Sequence, residues 1–370
     1  MINATKIIGL TGNIATGKSV VRRMLANSGA LGIDADEIAH RMLFPGSPAY
    51  QSVRAAFGEE ILSTDGKISR TRLGEIVFRD EGKLQELEEL VHPGVVNAIK
   101  KRIHKTTVPI IVIEAIKLLE SDLRELCDSI WVSHASTARQ MERLVQTRDM
   151  SEQQALERIA AQPPQKEKLA CADVIINTEN AFKRTWKEVQ KSLNDTIQSS
   201  IDLKSLYFNI TKDWTGRPAG SLPAHQLEGF WKESGNESMP ALYENMGMQM
   251  LLPLFRRDQL TALILWNNRH YLGLIDLVFP KAVFQQHAPE VLEAVRLHAL
   301  QQQCEVLLFP AQLTLRTNIQ PEVFGFENNN INNLHYPGWQ QSAKEIAANG
   351  QNEYWMKILM QPIEAGFDLI

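Results

Sequence analysis

The sequence predicts an α/β protein in two parts. The first is a doubly wound parallel sheet flanked by helices, and the second is an α+β domain with a mostly antiparallel sheet. Three observations carry this. Short apolar runs ending in acids or asparagine alternate with helical stripes over the first half, as buried parallel strands joined by helices require. A glycine-rich loop stands between the first such run and the first stripe. Near residue 198 the composition changes: residues 1–200 hold 27 Lys/Arg and 26 Asp/Glu, whereas residues 201–370 hold 12 and 17, with Gln and Asn filling the gap. At about 100–200 residues per domain, 370 residues suit two domains, read as 1–198 and 199–370.

Lys6–Leu10 (KIIGL) is the first buried strand. The loop after it, Gly12-Asn13-Ile14-Ala15-Thr16-Gly17-Lys18-Ser19, matches G-x-x-x-x-G-K-[ST] in full. Ser19–Asn27 then runs at helical spacing and closes at Gly29. Strand, glycine loop and helix together make this half a P-loop NTPase-type domain. Gly12 and Gly17 allow tight turns that aim backbone N–H groups at phosphate oxygens beside a helix N-terminus. Lys18 neutralises the β- and γ-phosphates and the Ser19 hydroxyl ligates Mg²⁺. The nucleotide contacts predicted here are therefore Gly12, Asn13, Ile14, Ala15, Thr16, Gly17, Lys18, Ser19 and Val20.

Leu31–Ile33 ends in Asp34-Ala35-Asp36, and carboxylates at the C-terminal end of a parallel strand lie at the ligand crevice. One of them can take the proton of an attacking hydroxyl or support the metal. Asp34 can equally cap the helix Asp36–Leu43. The loop Phe44–Pro48 stops that helix. Val108–Ile113 (VPIIVI) followed by Glu114 has the layout of a Walker B carboxylate, which holds Mg²⁺ directly or through water. Ser129–Val132 and Val174–Ile176, the latter ending at Asn177, complete five strands. Between those two, Arg139, Arg143, Arg148 and Arg158 fall on a helical pattern, and Arg143 and Arg148 flank the Asp149–Met150 turn. They are either arginines of a lid closing over the transferred phosphoryl group, or a solvated face paired with Glu142 and Glu157. His92-Pro93 reads as a joint between two helices or as a substrate contact, while His40, His104 and His134 read as surface or cap residues. The stripe Phe182, Trp186, Val189, Leu193, Ile197 ends the domain.

The second half carries no nucleophile elbow, metal-binding pair or cysteine cluster. Strands fit Met248–Phe255, Leu260–Trp266, Tyr271–Val278, Cys304–Phe309 and Trp355–Gln361; a helix fits Glu290–Gln303; Arg256–Gln259 would turn the first hairpin, and Asn328–Asn333 reads as a short loop.

Composition excludes several classes. A net charge of -4 lacks the basic excess of a nucleic-acid scaffold. No run approaches the 18 or so apolar residues of a membrane span. The first residues, MINATKIIGLTG, lack the basic n-region and cleavage site of a secretory signal. The three cysteines, Cys127, Cys171 and Cys304, are far apart, which suits a reducing cytoplasm without disulfides or a zinc site.

From Lys6 to about Leu193 the chain resembles dephospho-coenzyme A kinases. The matching stretches are IIGLTGNIATGKS, IDADEIAHR, DGKISRTRLGEIVF, LEELVHPGV, ERLVQTRDMSEQQALERIAAQ and ADVIINTEN. The resemblance implies transfer of the ATP γ-phosphoryl to the ribose 3′-hydroxyl of dephospho-coenzyme A, with ATP and Mg²⁺ as partners. It implies Asp36 as general base, and Arg143 and Arg148 as lid arginines. It also implies a substrate-side helical insertion (roughly Arg41–Lys105) that includes Arg70, Leu73, Phe78 and His92. Asn177 would approach adenine or cap its loop, and Asp34, Arg70, His92 and Lys117 would serve the acceptor. Where many members carry Pro-Leu-Leu-x-Glu, this chain reads Ile116-Lys117-Leu118-Leu119-Glu120, so Lys117 adds a charge near the acceptor pocket.

The order of elements over Leu206–Ile363 resembles the Gcn5-related N-acetyltransferases. Their Q/R-x-x-G-x-G/A pyrophosphate motif is replaced by Lys281–Pro289, which contains no glycine, and side chains there would crowd a pyrophosphate. Glu290, His287 and Tyr354 read as acid–base groups or, more simply, as cap, surface and core residues. Two other functions stay open on the sequence: a P-loop kinase for another small-molecule hydroxyl, and a bifunctional or regulatory protein whose second domain binds an acyl-coenzyme A or a partner.

Overall fold

The computed structural model describes residues 5–64, 66–197, 201–233, 239–310, 320–329, 334, 339–340, 343 and 354–360. The first half is built as β1 (Lys6–Thr11), α1 (Lys18–Asn27), β2 (Leu31–Asp34), α2 (Ala35–Arg41), α3 (Tyr50–Phe57), α4 (Arg70–Val77) and α5 (Glu81–Lys105), followed by β3 (Ile110–Glu114), β4 (Ser129–His134), α6 (Thr137–Arg148), α7 (Glu152–Ala160), α8 (Gln165–Ala170), β5 (Val174–Asn177) and α9 (Phe182–Ile197). Its five strands lie parallel in the order β2-β3-β1-β4-β5. Every residue of β3 is buried, because helices cover both faces of the sheet. The register sets Asp34 beside Glu114 and Glu114 beside Leu10, so both acids reach the rim from which the glycine loop departs.

His92-Pro93 is not a joint between two helices, since both residues lie inside the 25-residue α5. Proline removes one N–H from the helical ladder, but Val91, Val95, Ala98 and Ile99 of α5 are buried in the core around it. That burial holds the helix together across the gap.

The second half adds β6 (Phe208–Asn209), β7 (Trp214–Gly216), α10 (Ala224–Glu233), α11 (Met239–Met248), β8 (Met250–Arg256), β9 (Gln259–Arg269), β10 (Leu272–Phe279), α12 (Lys281–Gln286), α13 (Ala288–Gln301), β11 (Val306–Pro310), β12 (Glu327–Asn329) and β13 (Tyr354–Ile358). They form an eight-stranded sheet in the order β12-β13-β11-β10-β9-β8-β7-β6. All its pairings are antiparallel except β10 with β11, which α12 and α13 connect. The hairpin turn between β8 and β9 has Arg257 and Asp258 at positive φ (48° and 64°), the geometry a two-residue loop needs to follow strand twist. Asn328 and Asn329 belong to β12 rather than to a loop; residues 330–333, the rest of that expected loop, lie outside the described residues, as does the expected domain boundary at residue 198. The segment of the missing glycine motif forms α12. Among the described residues no helix is long and apolar enough to cross a membrane, and all three cysteines are free thiols.

The halves share a core. Leu242, Tyr243 and Met246 of α11 are buried in the same cluster as Val21, Met24 and Leu25 of α1 and Trp186 and Val189 of α9. Gly247 is required there, because a Cβ at that position would meet the Phe182 ring at 2.6 Å and Val20 at 3.1 Å. Gly247→Ala should therefore cost about 1–3 kcal/mol through overpacking, to be read as a lowered unfolding midpoint in urea.

The two halves are also joined by charge. Glu305, fully buried beside β11, accepts from Arg41 Nη1 at 3.2 Å and Nη2 at 2.7 Å, from Arg102 Nη2 at 3.2 Å and from Trp339 Nε1 at 2.6 Å. Both guanidiniums lie over the Tyr271 ring, at 5.0 and 3.7 Å from its centroid. His270 Nδ1 also pairs with Glu37 at 2.6 Å. The second domain thus holds α2 by its first turn and its last.

Candidate active site

The glycine loop wraps the end of β1 with Gly12 at φ 150°, Ala15 at 57° and Gly17 at 86°. A Cβ on Gly12 would lie 2.6 Å from the Ser133 carbonyl, so the close passage of the loop over β4 demands glycine. Asn13 Nδ2 donates to Pro163 O at 2.8 Å and the Ile14 N–H donates to Gln162 Oε1 at 2.6 Å. The segment joining α7 to α8 therefore sits directly on the loop, where a side-chain oxygen takes an amide suited to a phosphate.

Lys18 is buried and donates to Gly12 O at 2.9 Å and Asn13 O at 3.1 Å. Burial pushes its ammonium below the ordinary lysine value, against the opposing pull of Glu114 and Asp36. Ser19 Oγ donates to Glu114 Oε1 at 2.9 Å, and Arg22 Nε donates to Glu114 Oε2 at 2.6 Å. Burial works to raise the Glu114 pKa, but Arg22 and Lys18 outweigh it and keep this carboxylate ionised below the usual range. A hydroxyl and an ionised carboxylate side by side are the hard oxygen donors that suit Mg²⁺, which needs only one or two protein oxygens when water and phosphate complete its shell.

The two acids of Asp-Ala-Asp separate in role. Asp34 is the N-cap of α2, its Oδ1 accepting from the Glu37 N–H at 3.0 Å, and its Oδ2 pairs with Arg22 at 3.2 Å. Asp36, two residues further on in the first turn of α2, is exposed and accepts from the Ile116 N–H. The surrounding protein mass, then Asp34, raise its pKa to about 6 against the pull of Lys18. Lys168 of α8 is buried close by, donates to Ile116 O at 2.5 Å and feels Asp36. A lysine in a charged helix carries no sequence signal, and only the fold brings Lys168 to this group.

The arginines divide as well. Arg143 donates to Ala15 O at 2.9 Å and to Thr178 Oγ1 and O at 3.1 and 2.5 Å, tying the glycine loop to the segment after β5. Arg148 is exposed at the end of α6, near enough to help depress Lys18. Asn177 Oδ1 accepts from the Glu179 N–H at 2.9 Å, which is the loop-cap alternative. Arg70 Nη1 lies 3.2 Å from His40 Nδ1, and Lys117 pairs with Glu88 of α5. His92 is half-buried on α5. Among the second-domain candidates, Tyr354 is buried in the core, and His287, at the start of α13, packs its ring 5.1 Å from Trp214.

Along this site runs a cleft of about 810 Å³. The glycine loop and Lys18 form its floor, Arg139, Arg143 and Arg148 one side, and Ala181 and Phe182 an end.

The family model for dephospho-CoA kinase matches residues 6–184. A dephospho-CoA kinase of Carboxydothermus hydrogenoformans is 42% identical over 186 residues, which cover 50% of this chain and 90% of that protein. That of Shouchella clausii is 38% identical over 192 residues, covering 51% and 98%. This chain belongs to the dephospho-CoA kinase family. A solved dephospho-CoA kinase from Campylobacter jejuni aligns at TM-score 0.41 with 26% identity, over 54% of this chain and all of that one. In dephospho-CoA kinase terms the second domain is an addition: the family match stops at residue 184, inside α9.

Proposed function

We propose that this chain catalyses the ATP-dependent phosphorylation of the ribose 3′-hydroxyl of dephospho-coenzyme A, releasing coenzyme A and ADP in the cytoplasm. The observation that carries the reading is the 42% identity extending over 90% of a dephospho-CoA kinase, together with an Asp36 poised near neutrality beside Lys18. The triphosphate lies along Gly12–Ser19, where backbone N–H groups and Lys18 take its charge. Phosphate binding displaces the Gln162 oxygen from the Ile14 N–H, so the α7–α8 segment reports occupancy of the loop. Ser19 and Glu114 would hold Mg²⁺, which would supply charge neutralisation on the β- and γ-phosphates. Asp36 accepts the proton of the 3′-hydroxyl as its oxygen attacks the γ-phosphorus. Arg148, free to swing at the end of α6, covers the charge on the phosphoryl group in flight, while Arg143 keeps the loop in shape.

A coupled ADP-release assay with ATP, Mg²⁺ and dephospho-coenzyme A tests this. ADP release should depend on the acceptor, and Lys18→Ala should lower it by about 10²–10³-fold, the scale of losing one charge-stabilising donor. A folded, ATP-binding wild type indifferent to this acceptor would sink the reading and leave a kinase for another hydroxyl.

A further inference from the structure

Beyond Phe182, the wall of the nucleotide cleft is supplied by the second domain: Tyr243, Glu244 and Met248 of α11 line it. Their placement is rigid. Asn27, the last residue of α1, donates from Nδ2 to Met246 O at 2.8 Å and Gln249 O at 2.9 Å, and its Oδ1 accepts from the Leu251 N–H at 2.7 Å. These bonds bracket Met248 and tie it to the helix that begins at Lys18. On the other side Phe182 packs on Gly247. Tyr243 is buried and donates to Glu228 at 2.6 Å, which also holds Lys183 at 2.8 Å. Met248, by contrast, is half exposed, a large apolar side chain facing the cleft with no core to fill.

The cleft is polarised along its length. Lys18, Arg139, Arg143 and Arg148 gather at the glycine loop, which is the place for the phosphates. Glu244 is the one carboxylate among the lining residues described, and it stands with Met248 and Phe182. Lys183 lines the same end but is held by Glu228, and a flat apolar heterocycle fits against Met248 and Phe182. A thioether and a phenyl ring pack well on such a ring system.

We propose that the second domain completes the nucleotide site, Met248 forming part of the base-binding wall with Phe182. This rests on the cleft being the ATP site of the proposed kinase. Full-length Met248→Ala and Met248→Leu should be titrated with ATP alone, and then assayed with dephospho-coenzyme A. Met248→Ala should raise both Kd and KM for ATP by about three- to tenfold, the scale of losing a partly buried apolar contact. Met248→Leu, of similar volume, should restore most of that loss. Val323→Ala, an exposed position on the second domain, controls for general effects. Unchanged ATP affinity in a folded Met248→Ala variant would overturn the proposal. The nucleotide titrations need no acceptor, so an enzyme that binds ATP as expected yet ignores dephospho-coenzyme A would sink the kinase assignment and leave this inference standing.

Discussion

Asp36→Asn should lower acceptor-dependent turnover by about 10²–10⁴-fold, the usual contribution of a positioned general base. Asparagine keeps the shape and can still accept from the Ile116 N–H, so binding of ATP should persist while proton removal fails. The pH dependence gives a second readout. Asp36 has its pKa raised to about 6 by its surroundings and by Asp34, and it is active only when ionised. In wild type, kcat/KM for dephospho-coenzyme A should therefore fall about tenfold per pH unit below 6 and level off above it. The asparagine variant should lack that limb. If it keeps the limb at normal amplitude, the base lies elsewhere, and Asp34 is the next group to replace. Asp34 is the weaker choice on geometry: its oxygens are already committed to the α2 N-terminus and to Arg22.

Glu305→Ala should destabilise the full chain by about 3–5 kcal/mol, the cost of breaking a buried ion pair from one side. It removes the carboxylate to which Arg41 and Arg102 both donate, at a place where all three side chains are at most 2% exposed. The buried Trp339 N–H loses its acceptor as well. Urea unfolding followed by tryptophan fluorescence and by far-UV dichroism measures the loss. A change below about 1 kcal/mol would mean that packing around Tyr271, rather than charge, holds the halves together. The same variant should lower kcat, because Arg41 ends the helix whose first turn carries Asp36. Restoring the charge with Asp, one methylene shorter than Glu, should recover part of each effect.

The phosphate half was legible for a physical reason. A P-loop works through backbone N–H groups, so its requirements fall on glycines, a lysine and a hydroxyl at fixed spacing, and those are visible in a string of letters. Strands buried on both faces must be continuously apolar, which located β1 to β4 within two residues of their observed bounds; the apolar run of β5 was found as well, although only Ile176 of this edge strand is buried. The acceptor side was less legible. Asp34 and Asp36 look alike in sequence, and they part only because one caps α2 and meets Arg22 while the other stays exposed and bonds to the Ile116 N–H. Arg143 and Arg148 share a helix, yet one is bonded to Ala15 and Thr178 and the other reaches solvent. His92-Pro93 suggested a break that the packing of α5 overrides.

In the second half, apolar runs, helical spacing and a turn sequence were enough to predict the strands β8 to β11 and the helix before β11. They say nothing about what the sheet packs against. By itself, then, the sequence determined the nucleotide loop, the parallel sheet that presents it and the kinase family. The tertiary structure alone decided that the second domain is no loose appendage. Its α11 shares the core of α1 and reaches the nucleotide cleft, and its Glu305 and His270 hold α2. Those contacts join residues more than 200 positions apart, and they depend on which faces of finished elements meet, which no local spacing records.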